Sequence, residues 1–166
     1  MHKILLRPWQ REDAQPLAII ANNRNIWNNL RDQLPHPYTV MDAMQWVAHS
    51  KEQDPAVNFA VIYNGEVAGS IGCVTKDDVY RKSMEIGYFI GENFWGKGIA
   101  TEAVKLLLEY IQLRFDVIRV YAEVFEHNKA SMKALQKNGF YLEGIRRKAA
   151  VKNNLLIDDY VWVKLL

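Results

Sequence analysis

The chain has 166 residues, which is room for one domain. Its 21 basic and 19 acidic residues leave a net charge of +2, too weak a field to draw it to nucleic acid or to a membrane surface, so an anionic ligand needs a local site. The single cysteine, Cys73, excludes an intrachain disulfide, and its apolar surroundings suit a buried small hydrophobe better than a nucleophile. No apolar run approaches the roughly 20 residues needed to cross a bilayer, and residues 1–9 lack the apolar core of a signal peptide. A cytoplasmic protein is expected.

Ile4-Leu5-Leu6, within residues 3–8, reads as a short strand closed by Pro8. Residues 11–21 carry Ala14, Leu17, Ala18 and Ala21 at helical spacing. Residues 22–29 are rich in asparagine and read as irregular, and Pro35 and Pro37 stop any helix beyond them. Thr39 followed by Asp42 marks the start of a second helix, whose Val40, Ala43, Met44 and Val47 share a stripe. Two strands, 57–63 and 66–74, flank Asn64-Gly65, the dipeptide that suits a type I′ turn. A polar turn at 76–82 leads to a strand at 83–90. Residues 98–115 give the longest helix, with Ala103, Val104, Leu107, Leu108 and Ile111 on one side. A β-branched strand at 117–124 and a helix at 128–138, ended by Gly139, follow. Strands at 140–145 and 155–164 close the chain. This order predicts an α+β fold around a mixed sheet, with 83–90 and 117–124 as parallel neighbours because a helix crosses between them.

The stretch from Glu85 to Ala103 runs strand, glycine loop, helix. A helix start presents unpaired N–H groups and a partial positive charge, and Gly96 and Gly98 let an anion come close to the backbone. A phosphate is the expected ligand, with Lys97 adding charge. Gly91 to Lys97 matches G-x-x-x-x-G-K, but Gly98 stands where a Walker loop needs Ser or Thr for Mg²⁺. Gly96-x-Gly98 followed by Thr101 fits the dinucleotide fingerprint poorly. Taken alone, the two glycines are better explained by a simple chain reversal.

Trp95-Gly-Lys-Gly-Ile-Ala-Thr-Glu-Ala103 resembles the pyrophosphate loop of the GNAT acetyltransferases, with Gly98 and Ala100 at the two small positions and Trp95 at the usual Gln or Arg. Asn128-Lys-Ala-Ser131, Lys137-Asn-Gly-Phe140 and Glu143-Gly144 resemble a later motif of the branch that includes ribosomal-protein N-terminal (alanine/serine) acetyltransferases. Leu6-Arg7-Pro8-Trp9 with Asp13-Ala14 resembles that branch's opening. The resemblance covers essentially the whole chain. It implies a GNAT-like, mostly antiparallel sheet of about seven strands, flanked by about four helices, with a V-shaped splay between the two central parallel strands. It also implies acetyl-CoA as co-substrate, without a metal: pantetheine along Phe89 and Ile90, pyrophosphate on the loop and helix start from Trp95, Gly96, Lys97, Gly98, Ile99 and Ala100 to Thr101, and Asn128 and Ser131 close to the arm.

In the chemistry so implied, Glu85 is the expected base, though a salt-bridged strand residue explains it equally. Ser131 either stands near the sulfur of CoA or bonds backbone at a helix start. Many relatives carry a Tyr one turn after that Ser; here the position holds Leu135. Tyr141 is a possible substitute or a structural ring, and Tyr88 reads as a core or cleft-wall ring. His127 reads as a loop-end residue or a catalytic one. Glu123 and Glu126 tune an amine or are solvated, and Asp158 and Asp159 mark a bulge or the acceptor side. The acceptor site implied is the segment 25–38, with Trp27, Asn28, Arg31 and Tyr38. Its expected occupant is a protein N-terminus or a small amine, and the expected assembly is a monomer or a homodimer. A CoA-binding sensor without chemistry is the reading of a different class.

Overall fold

The computed structural model describes residues 3–166; Met1 and His2, at the head of the segment read for a leader, lie outside the described residues. Seven strands form one sheet: β1 Ile4–Pro8, β2 Asn58–Tyr63, β3 Glu66–Thr75, β4 Ser83–Ile90, β5 Arg119–Phe125, β6 Tyr141–Lys152 and β7 Leu155–Leu165. Their spatial order is β1-β2-β3-β4-β5-β7-β6, and β4–β5 is the parallel pair. The helices are α1 Ala14–Ala21, α2 Arg24–Trp27, α3 Val40–Lys51, α4 Ile99–Arg114 and α5 Lys129–Lys137.

Local chemistry accounts for the boundaries. Asn64 and Gly65 hold φ of 50° and 90°, and so close the β2–β3 hairpin. Thr39 and Asp42 exchange hydrogen bonds at the start of α3: the Asp42 amide donates to the Thr39 hydroxyl at 3.2 Å, and the Thr39 amide to the Asp42 carboxylate at 2.8 Å. Two differences from the sequence reading stand out. The asparagine-rich segment contains the one-turn α2, because the Asn23 side chain accepts the Ile26 amide at 3.1 Å. Strand β6 runs on to Lys152 and turns through Asn153-Asn154, both at positive φ (51° and 60°), a conformation asparagine tolerates. Within β6 a bulge at Lys148 is held by Asp158, which accepts the Lys148 amide at 2.9 Å and pairs with Arg147 at 2.6 Å.

The sheet has a core on each face. On one, Val104, Leu107 and Ile111 of α4 pack on Met84, Ile86 and Val120; on the other, Leu17 of α1 and Ala43 and Val47 of α3 cover Ala60, Ile62 and Val67. The second core is tied to β1 by Asp13, whose buried carboxylate takes the Arg7 guanidinium as a fork (2.6 and 2.9 Å) and the Gln10 amide (2.8 Å).

Burial pushes the Asp13 carboxyl up, but the Arg7 fork and the Gln10 amide outweigh it and hold its pKa below the ordinary value. The stability this supplies is complete above the unfolded carboxylate pKa of about 4 and is lost as pH falls through the lower folded value. Asp13→Ala is therefore expected to cost about 2 kcal/mol at pH 7. Urea unfolding at pH 7 and again below pH 4 checks this, and the gap between variant and parent narrows in acid.

Candidate active site

Strands β4 and β5 pair over only three positions, Ser83–Arg119, Met84–Val120 and Glu85–Tyr121. Beyond Glu85, β4 stays with β3 up to Ile90–Gly69, and β5 stays with β7 up to Phe125–Asp159, so the two part company. Two cavities flank the opening. One, of about 600 Å³, lies beside the start of α4 and along α5. The other, of about 950 Å³, lies under the α2–α3 loop. Asn29, Leu30, Tyr88, Phe89, Asn128 and Ser131 line both, so the cavities meet in the V.

The smaller cavity presents N–H donors and lysines. Gly96 and Gly98 hold φ of 75° and 74°, and a Cβ on either would meet nothing within 4 Å, so open space faces the loop. The Glu102 amide bonds the Gly98 carbonyl at 3.2 Å as the first helical bond, which leaves the N–H groups of Ile99, Ala100 and Thr101 without an intrahelical acceptor. The Trp95 indole donates to the Ile90 carbonyl at 2.7 Å and pins the loop to the end of β4. Lys97 lies over the rings of Phe94 and Tyr63 (5.4 and 5.5 Å) and donates to the Asn93 carbonyl at 3.3 Å. Sequence reasoning missed Lys129, Lys133 and Lys137, which line this cavity from α5; their spacing of four residues was the available signal. The residues present fit a phosphorylated ligand such as the pyrophosphate of CoA.

At the junction, the Tyr88 hydroxyl stands 2.7 Å from the Ser131 hydroxyl. Burial pushes the Tyr88 phenol up to about 12, against a smaller opposing pull from Ser131, so it stays protonated at neutral pH. The Asn128 side chain caps α5 by accepting the Ser131 amide at 3.4 Å.

The wider cavity is lined by ion pairs. Arg31 Nη2 donates to Glu85 at 2.6 Å and to Glu123 at 2.8 Å. Lys76 pairs with the other oxygen of Glu85 at 2.9 Å. Arg146 bridges Glu123, at 2.7 Å, and Asp159. Glu85, Glu123 and Asp159 share one face of the sheet by register, since Glu85 pairs with Tyr121, two residues before Glu123, and Phe125 pairs with Asp159. Burial pushes Glu85 up, but its bonds to Lys76 and Arg31 prevail and hold it below the ordinary carboxylate range. Asp159 is shifted up, by burial above all, despite Arg146.

Of the acceptor residues read from the sequence, Arg31 and Tyr38 line this cavity, Tyr38 with its phenol pushed up to about 12 by burial. Trp27 and Asn28 line neither cavity and hold the loop instead. The Trp27 indole donates to the Leu34 carbonyl at 3.1 Å, and its ring lies 3.1 Å from the Lys152 ammonium. Asn28 accepts from Asn153 at 3.1 Å, and His127 Nε2 sits 3.0 Å from the Asn28 carbonyl. A carbonyl only accepts, so that nitrogen carries the proton. Tyr141, the candidate substitute for the tyrosine missing at Leu135, is half-exposed on β6 and lines neither cavity, whereas Tyr88, read from the sequence only as a core or cleft-wall ring, reaches Ser131. Cys73 is buried, with its thiol pushed up to about 12 by that burial. Among the described residues no group of His, Cys, Asp or Glu could hold a metal ion, and no helix is long and apolar enough to cross a membrane.

Residues 3–141 match the family model described as an acetyltransferase (GNAT) domain. The chain is 31% identical over 166 residues to "Probable N-acetyltransferase YjcK" of Bacillus subtilis (strain 168), covering 95% of this chain and 91% of that one. It is 29% identical over 145 residues to the spermidine N(1)-acetyltransferase of Escherichia coli (strain K12), covering 86% and 75%. Among solved structures, RimL, a ribosomal L7/L12 alpha-N-protein acetyltransferase in complex with coenzyme A, shares the fold with a TM-score of 0.85 at 20% identity, over 98% of this chain and 94% of that one. The chain therefore belongs to the GNAT acetyltransferases. Its reaction class is acetyl-CoA-dependent N-acetylation.

Gly98→Asp places a carboxylate in the open space before the helix start, in a left-handed conformation that Asp tolerates. Acetyl-CoA affinity is expected to fall about a hundredfold, roughly 2.8 kcal/mol, through charge repulsion and lost approach. Calorimetry beside a melting curve checks it: the variant keeps its Tm within a few degrees and loses the ligand.

Proposed function

We propose that the acceptor is a protein N-terminal α-amine, a single ammonium on an otherwise uncharged backbone. The observation that carries this reading is the pairing of the acidic groups in the wider cavity. Glu85 is matched by Lys76 and Arg31, Glu123 by Arg31 and Arg146, Asp159 by Arg146, and Asp32 farther out by Lys152. Asp42 is engaged in its helix cap. A polyamine needs a series of carboxylates with no cation of their own, which this cleft does not offer. The name of RimL points to a protein acceptor, and that of the spermidine enzyme to the competing class of small amines.

Acetyl-CoA supplies the activated acetyl group when bound. The chain holds it by the amides of Gly96 to Thr101, the lysines of α5, and the backbone around Phe89 and Ile90, where the Ile90 carbonyl keeps one lone pair beyond its bond from Trp95. Glu85 is ionised at neutral pH and receives the ammonium proton, directly or through water. The Ser131 and Tyr88 hydroxyls share a proton where the cavities meet and would supply it to the leaving thiolate of CoA. Holding both partners in the V supplies much of the rate by positioning.

Thiol release at saturating acetyl-CoA tests the acceptor with N-terminal peptides, amino acids and spermidine. The reading expects peptides to show the highest kcat/KM. Spermidine outpacing every peptide would replace it with the polyamine reading, and acetyl-CoA binding without turnover on any amine would favour a sensor.

Glu85→Gln is expected to lower kcat about a hundredfold and leave acetyl-CoA affinity unchanged. Because Lys76 and Arg31 hold the Glu85 carboxyl low, the parent's acid limb from this group lies below the ordinary glutamate range. An unaltered pH–rate profile in the variant removes Glu85 from the reaction. Tyr88→Phe and Ser131→Ala should each cut kcat about tenfold, and the double variant no more than either alone, since the two hydroxyls act as one unit.

A further inference from the structure

The Arg31 guanidinium touches two carboxylates with one nitrogen. Nη2 lies 2.6 Å from Glu85 Oε1 and 2.8 Å from Glu123 Oε2, so one point in the cleft is within hydrogen-bond reach of both. The two carboxylates come from the strands that part at the V, and their side chains are 15% and 20% exposed. Glu85 keeps Lys76 and Glu123 keeps Arg146 as separate partners, whereas Arg31 bonds both carboxylates at once. Its own side chain is 56% exposed and comes from the loop rather than the sheet. A second observation concerns Asp159, which lines the same cleft: its Oδ1 is buried without a hydrogen-bond partner, so the protein leaves one acceptor there without a donor.

We propose that Arg31 is an internal placeholder for the acceptor: its Nη2 occupies the point between Glu85 and Glu123 that the acceptor's primary ammonium takes when Arg31 swings out. This rests on the amine-acetylating reading above. A primary ammonium suits the same point, because it is a compact charge that places three N–H donors on one nitrogen where Arg31 Nη2 has two. The exchange replaces one cation by another and so leaves no carboxylate bare. It also delivers the reacting nitrogen directly to Glu85.

The loop need not move for this exchange. On one side of Arg31, Asn28 is held by Asn153 and His127; on the other, Asp32 is held by Lys152 at 2.7 Å. Only the arginine side chain must leave, into the solvent that already reaches it. A half-exposed ion pair is weak enough to be displaced, so the placeholder weakens acceptor binding by a modest factor, on the order of fivefold.

The test compares the parent with Arg31→Gln by calorimetry, using methylguanidinium and n-propylammonium as probes at pH 8. The variant is expected to bind both about fivefold more tightly than the parent, and Arg31→Gln/Glu123→Gln to lose that gain. In turnover, Arg31→Gln should lower the KM of the best amine about fivefold with acetyl-CoA affinity unchanged, and added methylguanidinium should inhibit the variant competitively against the amine. Absence of probe binding to Arg31→Gln overturns the proposal, and so does a rise in KM, which would make Arg31 a receptor for an anionic group on the acceptor. Probe binding by the variant with no turnover of any amine keeps the cation site and overturns the acetyl-transfer reading instead.

Discussion

The site depends on a parallel contact that is only three residue pairs long. A strand that leaves its neighbour exposes backbone donors and acceptors, and such groups are tolerated only where water or a ligand meets them. Here each strand is secured on its far side, β4 by β3 and β5 by β7, so the inner edges can separate without unravelling the sheet. The gap opens toward the carboxyl ends of both strands. Residues on opposite faces of β4 then serve opposite purposes: Tyr88 turns toward α5 and Ser131, whereas Glu85 turns toward the α2–α3 loop. One break in hydrogen bonding thus brings a surface of N–H donors and lysines and a surface of carboxylates to the same point.

Charge is arranged locally because the chain as a whole is nearly neutral. On one side, positive charge comes from a helix start and from lysines four residues apart on α5. On the other, cations and carboxylates alternate from Lys76 to Asp159, so that no acid there stands without a cation beside it. Such an arrangement keeps partly buried carboxylates ionised and attracts little from a distance. Recognition then rests on contact geometry more than on long-range steering.

Periodicity and turn chemistry made most of the fold legible, since each of the long elements has a local cause. The Gly96–Gly98 loop could be read as an anion site because its mechanism lies within six residues. The acceptor side could not be read in this way. The bonds of Arg31 reach 54 and 92 residues along the chain, and nothing near Arg31 indicates whether it faces substrate or carboxylates. The resemblance implies Trp27 and Asn28 at the acceptor; they line neither cavity, and their bonds fasten the loop. Asp158 and Asp159 illustrate the same limit: adjacent in sequence, they face opposite ways, one holding a bulge and the other lining the cleft. The β6 extension was hidden by its bulge, which breaks the alternation that marks a strand.

The turn at Asn153-Asn154 reaches back to the loop at residues 24–32, across 120 to 129 residues of chain. During synthesis the glycine loop, α4 and α5 are all available before that turn has emerged from the ribosome. The acceptor loop must wait for almost the last strand to acquire its fastenings. The loop beside the wider cavity is therefore fastened only once the last two strands are made, and the same late strand β7 secures the far side of β5.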